Sequence, residues 1–350
     1  MKAGGQLGFL PSSFVFLSPQ DGDRCMDLFK SCVFLLIATS LSSAGQVSKP
    51  ESANPIAAST PASPSAASYV YKEDFGSLSL VASNLIPAPI LFGERASYPE
   101  YTRELWRVQW RPEDPIDLYV ILPKGVRNPP VILYLYTYPT EADRFRDNEF
   151  CKLVASNGFA AVGFVAALTG QRYHDRPMRE WFVSNLQESL AKSVHDVQMI
   201  LNYLASRSDV DMNHVGMFGE GSGGSIAILA AAADSRIKAL DLLDPWGDWP
   251  EWLAKSSLIS PQERPDYITP QFLSPLRPLE PAKWLPQLGS RAVRLQIISN
   301  ETITPKAAKE RLEAAMPPTG EIRRYENSKP LAALALSGKF FDWLKEQVRK

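Results

Sequence analysis

The chain has 350 residues, 45% of them hydrophobic, and its 37 Lys and Arg against 38 Asp and Glu give a net charge of −1. This size and apolar content suffice for one large α/β domain or two small ones. The balanced charge argues against a nucleic-acid partner and against membrane binding by charge alone. The three cysteines, Cys25, Cys32 and Cys151, are too few for a disulfide framework.

Residues 1–44 have the pattern of a signal peptide. Lys30 precedes a short apolar run at residues 31–41, and the small residues that follow suit cleavage near Ala44. The run is too short to span a bilayer as a permanent helix. We therefore expect an exported protein, periplasmic or extracellular, whose translation starts at Met26 instead of Met1. A buried N-terminal helix is the alternative interpretation.

Residues 45–68 form a Pro/Ala/Ser tract with almost no large apolar side chains. Such a tract cannot bury enough surface to offset its chain entropy, so we predict a flexible linker. The folded domain should then occupy residues 69–350.

Beyond the linker, strand and helix patterns alternate along the chain. Partial alternation predicts an antiparallel lead-in pair at residues 103–110 and 116–123. Apolar runs and helical spacing predict the remaining elements. The further strands are residues 130–136, 158–165, 215–219, 237–243, 292–299 and 320–325, and the helices are 147–157, 181–207, one opened by Gly224, 305–316 and 337–348. This alternation predicts a mostly parallel sheet with helices on both faces.

Residues 215–229 combine a buried strand, a glycine-packed turn and an Ala-rich helix. Together with the preceding Asp209-Val210-Asp211 and the following Arg236-Ile237-Lys238-Ala239, they resemble the α/β-hydrolase fold in its esterase and prolyl-peptidase-like branches. The resemblance covers residues 103–350. It implies a doubly wound, mostly parallel sheet with antiparallel lead-in strands, and a nucleophile elbow, Gly-x-Ser-x-Gly, at the turn.

In that family a serine occupies the tip of the elbow, but Gly221 stands at this position here. Ser222 follows one place later, where its backbone N–H fits an oxyanion-hole donor. Its side chain is expected to cap backbone N–H groups at the start of the helix. Nucleophilic attack by Ser222 is the alternative.

The other catalytic positions of the family are also incomplete. The resemblance places a histidine after the last strand, near residues 327–330, where this chain has none. His174 follows a strand at the catalytic edge and is the candidate replacement for the base. His195, in the middle of a predicted helix, is expected to be a packed or surface residue, and His214 is expected to be structural.

Candidates remain for the acid and for the oxyanion hole. Glu301 matches the usual place of the acid, and Asp244 is a second option. Tyr138 is a candidate hydroxyl donor to the oxyanion hole, with core packing as its alternative role.

Residues 244–288 are rich in Pro and Trp and are a candidate lid. Trp246, Trp249 and Trp252 fall where hydrolases keep an acyl pocket, and aromatic side chains at a sheet's carboxyl edge often form ligand walls. Packing over the core is the alternative.

The glycines also match a dinucleotide-binding turn, Gly219-x-Gly221-x-x-Gly224, with Asp241 or Asp244 placed to hold a ribose. A lone glycine fingerprint is weak evidence, and the motif lies in the middle of the predicted sheet. We expect no cofactor and no metal site, since no cluster of metal ligands is visible.

Taken together, the residues and the resemblance favour an exported α/β-hydrolase-fold protein with a degraded triad. It would be non-catalytic or severely impaired, and its pocket would suit a small ester or peptide. Besides dinucleotide binding, two alternatives stay open. One is an active serine esterase or peptidase using Ser222, and the other is a scaffold that binds a partner protein through the aromatic loop.

Overall fold

A computed structural model describes residues 71–136, 142–169, Arg172 and 181–350. The predicted signal peptide and linker, and the candidate residues Tyr138 and His174, lie outside these ranges. Among the described residues, no helix is both long and apolar enough to cross a bilayer.

Among the described residues, nine strands form a single sheet in the order β1-β2-β3-β5-β4-β6-β7-β8-β9. The strands are β1 (Leu91–Ser97), β2 (Tyr101–Val108), β3 (Ile116–Pro123), β4 (Pro130–Leu135), β5 (Ala160–Phe164), β6 (Asp211–Glu220), β7 (Ile237–Leu243), β8 (Ala292–Ile298) and β9 (Glu321–Tyr325). β1, β2 and β3 pair antiparallel, and β3 pairs antiparallel with β5. From β5 to β9 all pairings are parallel. The predicted antiparallel lead-in and parallel body of the sheet are confirmed.

The helices are α1 (Asn148–Ser156), α2 (Trp181–Ser184), α3 (Leu186–Ala205), α4 (Ser222–Ala233), α5 (Trp249–Lys255), α6 (Arg264–Tyr267), α7 (Pro270–Leu273), α8 (Pro281–Trp284), α9 (Lys306–Ala314), α10 (Lys329–Leu336) and α11 (Asp342–Val348). Three predicted elements differ from the structure by more than two residues. The strand predicted at residues 215–219 begins four residues earlier, at Asp211. The helix predicted over residues 181–207 is interrupted at Asn185. The helix predicted over residues 337–348 begins only at Asp342, because the left-handed Gly338 (φ 73°) ends the preceding helix α10.

Helices cover both faces of the sheet. Successive side chains of a strand point to opposite faces. On β6, Met217 packs in the main core with residues of α4 such as Ala227, whereas Phe218 meets Phe341 beside α11, with ring centroids 5.5 Å apart. The central strands are therefore buried on both faces, which explains why the sequence of β4 is a continuous apolar run.

Strand β1 was not predicted. Its side chains are mostly exposed, so its sequence lacks the alternation of a half-buried strand. It pairs along only one side with β2, and a bulge interrupts the register between Phe92 and Glu94. Bulges and charged residues are common ways of blunting the edge of a sheet.

Candidate active site

The turn between β6 and α4 has the backbone geometry of a sharp strand-to-helix elbow. Gly221 lies at its tip with φ 55° and ψ −118°, a combination that residues with a side chain rarely adopt. The N–H of Gly221 donates to Leu243 O at 2.9 Å, and its carbonyl accepts from the N–H of Trp246 at 3.2 Å. These bonds tie the elbow to the end of the neighbouring strand β7.

Two further glycines let α4 approach the sheet closely. A Cβ atom on Gly219 would lie 2.5 Å from Gly223 O, and one on Gly223 would lie 2.3 Å from Leu135 O. Both neighbours are backbone atoms, which cannot turn aside as a side chain can. The glycine pattern therefore reflects packing between the helix and strands β4 and β6.

Ser222 is the first residue of α4, one position after the tip. It is 1% exposed. The unusual backbone conformation therefore falls on the glycine, which tolerates it, and the serine is buried at the start of the helix. The role of the Ser222 side chain, in capping the helix or as a nucleophile, stays a prediction.

Asp244 follows β7 at the same edge of the sheet and is 6% exposed. It has a left-handed backbone, with φ 42°. Its two carboxylate oxygens accept from the N–H of Ile298 at 3.0 and 3.2 Å. Burial raises the pKa of Asp244 to about 7; the nearby Lys309 opposes this shift, and the charge of Glu301 adds to it.

Lys309 on α9 fills the space between the two candidate acids. Its Nζ donates to Ile298 O at 2.6 Å and to Glu301 O at 2.8 Å. The same nitrogen lies 3.7 Å from Asp244 Oδ1 and 3.4 Å from Glu301 Oε2. Glu301 also accepts from the N–H groups of Ile303 and Thr304 in its own loop. Both candidate acids therefore already accept backbone hydrogen bonds and lie close to the Lys309 ammonium group.

Glu220 is a third carboxyl group at this edge that the sequence did not single out. It is the last residue of β6, directly before the elbow tip, and is partly buried. Burial raises its pKa; Arg144 opposes the shift and Glu301 adds to it. Its place between Gly219 and Gly221 was the available sequence signal, whereas Lys309 had none, since a lysine on a helix usually faces solvent.

Comparisons with known proteins agree with this geometry. The profile of the Dienelactone hydrolase family matches residues 116–241. Acetyl xylan esterase 1 from Thermoanaerobacterium sp. JW/SL YS485 superposes with a TM-score of 0.57 at 14% identity, over 72% of this chain and 87% of that one. The chain has the α/β-hydrolase fold.

Two other solved structures extend the hydrolase-fold likeness. Acylaminoacyl peptidase from Pyrococcus horikoshii superposes with a TM-score of 0.57 at 16% identity, over 71% of this chain but only 42% of that one. A cold-adapted esterase from an Arctic intertidal metagenomic library gives a TM-score of 0.51 at 14% identity, over 73% of this chain and 97% of that one. No curated protein sequence matches significantly.

Within the hydrolase fold, two of the three histidines are engaged elsewhere. His195 lies on α3 with Nδ1 2.6 Å from Glu73 Oε1 and Nε2 3.0 Å from Ser77 O. His214 contacts Asp211 at 2.6 Å near the start of β6. Six residues of extended strand, 215–220, lie between His214 and Gly221, which puts the two roughly 20 Å apart. The third histidine, His174, lies outside the described residues, so its candidacy as a base stays a prediction.

The three tryptophans after β7 pack inside the hydrolase fold. Trp246, Trp249 and Trp252 are each at most 1% exposed. Trp246 and Trp252 stack with centroids 4.4 Å apart, and Trp249 Nε1 donates to Leu279 O at 2.8 Å. Of the two interpretations, core packing describes these positions, and a role in contacting ligand stays a prediction. Residues 244–288, the candidate lid, form short helices and turns around them.

The two carboxylates that would hold a ribose in a dinucleotide-binding protein, Asp241 and Asp244, already bind other groups of the protein. Asp241 is fully buried and pairs with Arg294 Nη2 at 2.6 Å and Gln296 Nε2 at 2.8 Å. A carboxylate held in this way is not available to a ribose. Among the described residues, no group of three His, Cys, Asp or Glu is arranged to hold a metal ion.

The raised pKa of Asp244 predicts a pH-dependent stability. Its ordinary pKa is 3.8 and its folded pKa is about 7, so the folded state holds the proton more tightly than the unfolded chain. The resulting stabilisation is fully present below pH 3.8 and is lost as the pH rises to about 7, by on the order of 2–4 kcal/mol.

Chemical denaturation at pH 4 to 8 tests this prediction. Asp244→Asn, whose amide oxygen still accepts from Ile298, should remove this component of the slope. Glu310→Gln, on the same helix as Lys309 but 62% exposed, should keep it. An unchanged slope in Asp244→Asn would show that Asp244 titrates normally.

Proposed function

We propose that this protein is an exported α/β-hydrolase-fold protein that does not carry out serine hydrolysis and binds a small ester or peptide at the carboxyl edge of its sheet. The observation that carries the proposal is Gly221 at the elbow tip, with φ 55° and ψ −118°. This fold exposes its nucleophile there, and a glycine offers no hydroxyl.

The surrounding groups support the loss of hydrolysis. A serine hydrolase needs a base within hydrogen-bond reach of the hydroxyl and an acid that orients the base. Asp244 and Glu301 are bound to backbone N–H groups and lie against Lys309. His195 is engaged by Glu73 and Ser77. Export rests on the sequence of residues 1–44, and N-terminal sequencing of the secreted protein tests it.

The ligand class rests on the similar structures, whose names describe acetyl xylan esterases and an acylaminoacyl peptidase. An acetylated xylo-oligosaccharide and an N-acetylated dipeptide are therefore the probes. Calorimetry should detect binding of at least one probe at up to about millimolar concentration, and mass spectrometry should find that probe unchanged. Absence of binding to both would remove the ligand part of the proposal.

A fluorophosphonate probe tests the loss of the nucleophile. Intact-mass analysis of the wild-type protein should show no covalent adduct. Stoichiometric labelling that disappears in Ser222→Ala would establish Ser222 as a functional nucleophile and overturn the proposal.

Gly221→Ser tests the missing base separately. This variant regains a hydroxyl at the tip. It should still not turn over esters, because the two described histidines, His195 and His214, bind other groups and are not placed to activate the hydroxyl. Robust turnover in this variant would reveal a base that the proposal lacks.

A further inference from the structure

The first described residues form a closed loop on the surface of the domain. This N-terminal loop, Tyr71–Asn84, is closed at its base by the N–H of Asn84 donating to Lys72 O at 3.0 Å. A second bond, from the N–H of Asp74 to Ser83 Oγ at 3.0 Å, lies beside the first. The two ends of the loop are therefore held together independently of what the loop contacts.

Polar side chains of α3 hold the loop in place. Gln187 Nε2 donates to Phe75 O at 3.3 Å, and Gln198 Nε2 donates to Leu78 O at 2.7 Å. Leu78 is the one buried apolar side chain of the loop. Phe75 and Leu80 of the loop are partly buried against the core, so the docking combines hydrogen bonds with apolar contacts.

Glu73 is the central contact between the loop and the domain, and its side chain is 0% exposed. It accepts from Arg111 Nη2 at 2.6 Å, and the pair is bidentate through Arg111 Nε. His195 and Tyr71 also contact the carboxylate. Burial opposes ionisation, but the bonds from Arg111 and His195 outweigh it and hold the pKa of Glu73 well below its usual range.

The chain of contacts continues from Arg111 through Asp196 to Arg172. Asp196, with 0% of its side chain exposed, binds Arg111 through Oδ1 and Arg172 Nη1 through Oδ2 at 2.8 Å. Arg172 in turn donates to Val165 O at 3.0 Å and forms a bidentate pair with Asp114 at 2.7 and 2.9 Å. Each of the two arginines thus holds one oxygen of a single shared carboxylate.

Arg172 lies at the edge of the sheet that carries the elbow. Val165 directly follows β5, which is parallel to β4 and so ends at the carboxyl edge. A second contact in this turn is the N–H of Ala167 donating to Ser193 Oγ on α3 at 2.9 Å. The far end of the contact chain therefore holds the turn after β5 against α3.

We propose that the N-terminal loop positions the turn after β5 through the continuous chain Glu73–Arg111–Asp196–Arg172. Removing the charge of Glu73 leaves the buried guanidinium of Arg111 with Asp196 in direct contact and with Asp114 Oδ2 at 3.7 Å. Arg111 then competes with Arg172 for the carboxylate of Asp196, and the turn after β5 is held less firmly against α3. This coupling is independent of whether the protein hydrolyses esters.

Amide hydrogen exchange of the full-length protein, read in peptides covering residues 71–84 and 165–172, tests the coupling. Glu73→Gln keeps the shape of the side chain and removes its charge. Exchange in both peptides should rise by about tenfold or more, as expected for the loss of a charge-assisted hydrogen bond. Faster exchange confined to residues 71–84 would overturn the proposal.

Two further variants keep the test decisive if Glu73→Gln unfolds. Asp114→Asn changes a carboxylate, 18% exposed, that pairs with Arg172 and also lies 3.7 Å from Arg111. Because it acts on both arginines, this variant should speed exchange at residues 71–84 as well as at 165–172. Gln187→Ala removes a contact of the loop that is not part of the Glu73–Arg111–Asp196–Arg172 series. It should speed amide exchange at residues 71–84 alone. If Asp114→Asn speeds exchange at residues 165–172 but not at 71–84, the N-terminal loop and the turn after β5 are independent.

Discussion

Replacing Asp196 by alanine should lower the free energy of unfolding by about 3–5 kcal/mol, the largest loss that we expect from a single charged residue. Asp196 accepts from Arg111, Arg172 and the indole N–H of Trp110. The side chains of both arginines are at most 2% exposed. Removing the shared carboxylate therefore leaves two buried cations short of a partner, and their desolvation is no longer offset.

Urea denaturation followed by circular dichroism measures the effect of Asp196→Ala. The midpoint should fall with little change in the denaturant dependence. Glu310→Ala is the control, because its contact with Lys306 is 3.7 Å long and both side chains are mostly exposed. The control should stay within about 0.5 kcal/mol of wild type. Equal effects of the two variants would show that the buried contacts contribute little.

Gly223→Ala should destabilise the protein by about 3 kcal/mol, although alanine is the better helix former by about 1 kcal/mol. The new Cβ would lie 2.3 Å from Leu135 O and 2.6 Å from the Leu135 carbonyl carbon. Since these are backbone atoms of β4, relief requires the helix to move away from the sheet. The clash should therefore outweigh the gain in helix propensity.

Gly289→Ala is the matched control for the same substitution in open space. Its Cβ would have Pro317 Cβ as its nearest neighbour, at 4.0 Å, and its φ of −61° suits any residue. Thermal unfolding should show no loss, or a gain of up to about 1 kcal/mol from the stiffer unfolded chain. A stable Gly223→Ala protein would contradict the close packing of α4 on β4.

The sequence was informative where a single element carries its own pattern. The apolar run of β4 and the glycines between β6 and α4 predicted a buried sheet with an elbow, and the structure has both. The position of Gly221 at the tip follows from the spacing of its neighbours, because the strand must end before the helix begins. Local spacing, burial and turn chemistry agree there, so the prediction needed no knowledge of distant residues.

The sequence was uninformative about contacts between residues that are far apart in the chain. Glu73, Arg111 and Asp196 are separated by 38 and 85 positions, and no periodicity links them. The sequence around His195 does not indicate a partner, and its partner Glu73 lies 122 positions away. Lys309 resembles a surface residue of an ordinary helix until β7 and β8 bring Asp244 and Glu301 to it. Such contacts are set by the tertiary fold.

Steady-state hydrolysis of 4-nitrophenyl acetate by the wild-type protein and by Ser222→Ala is the most direct test of the absence of a working nucleophile. We expect both proteins to give the same rate, within about twofold of each other and close to the rate without protein. A wild-type rate about a hundredfold or more above that background, lost on replacing Ser222, would show a functional serine nucleophile and contradict the account.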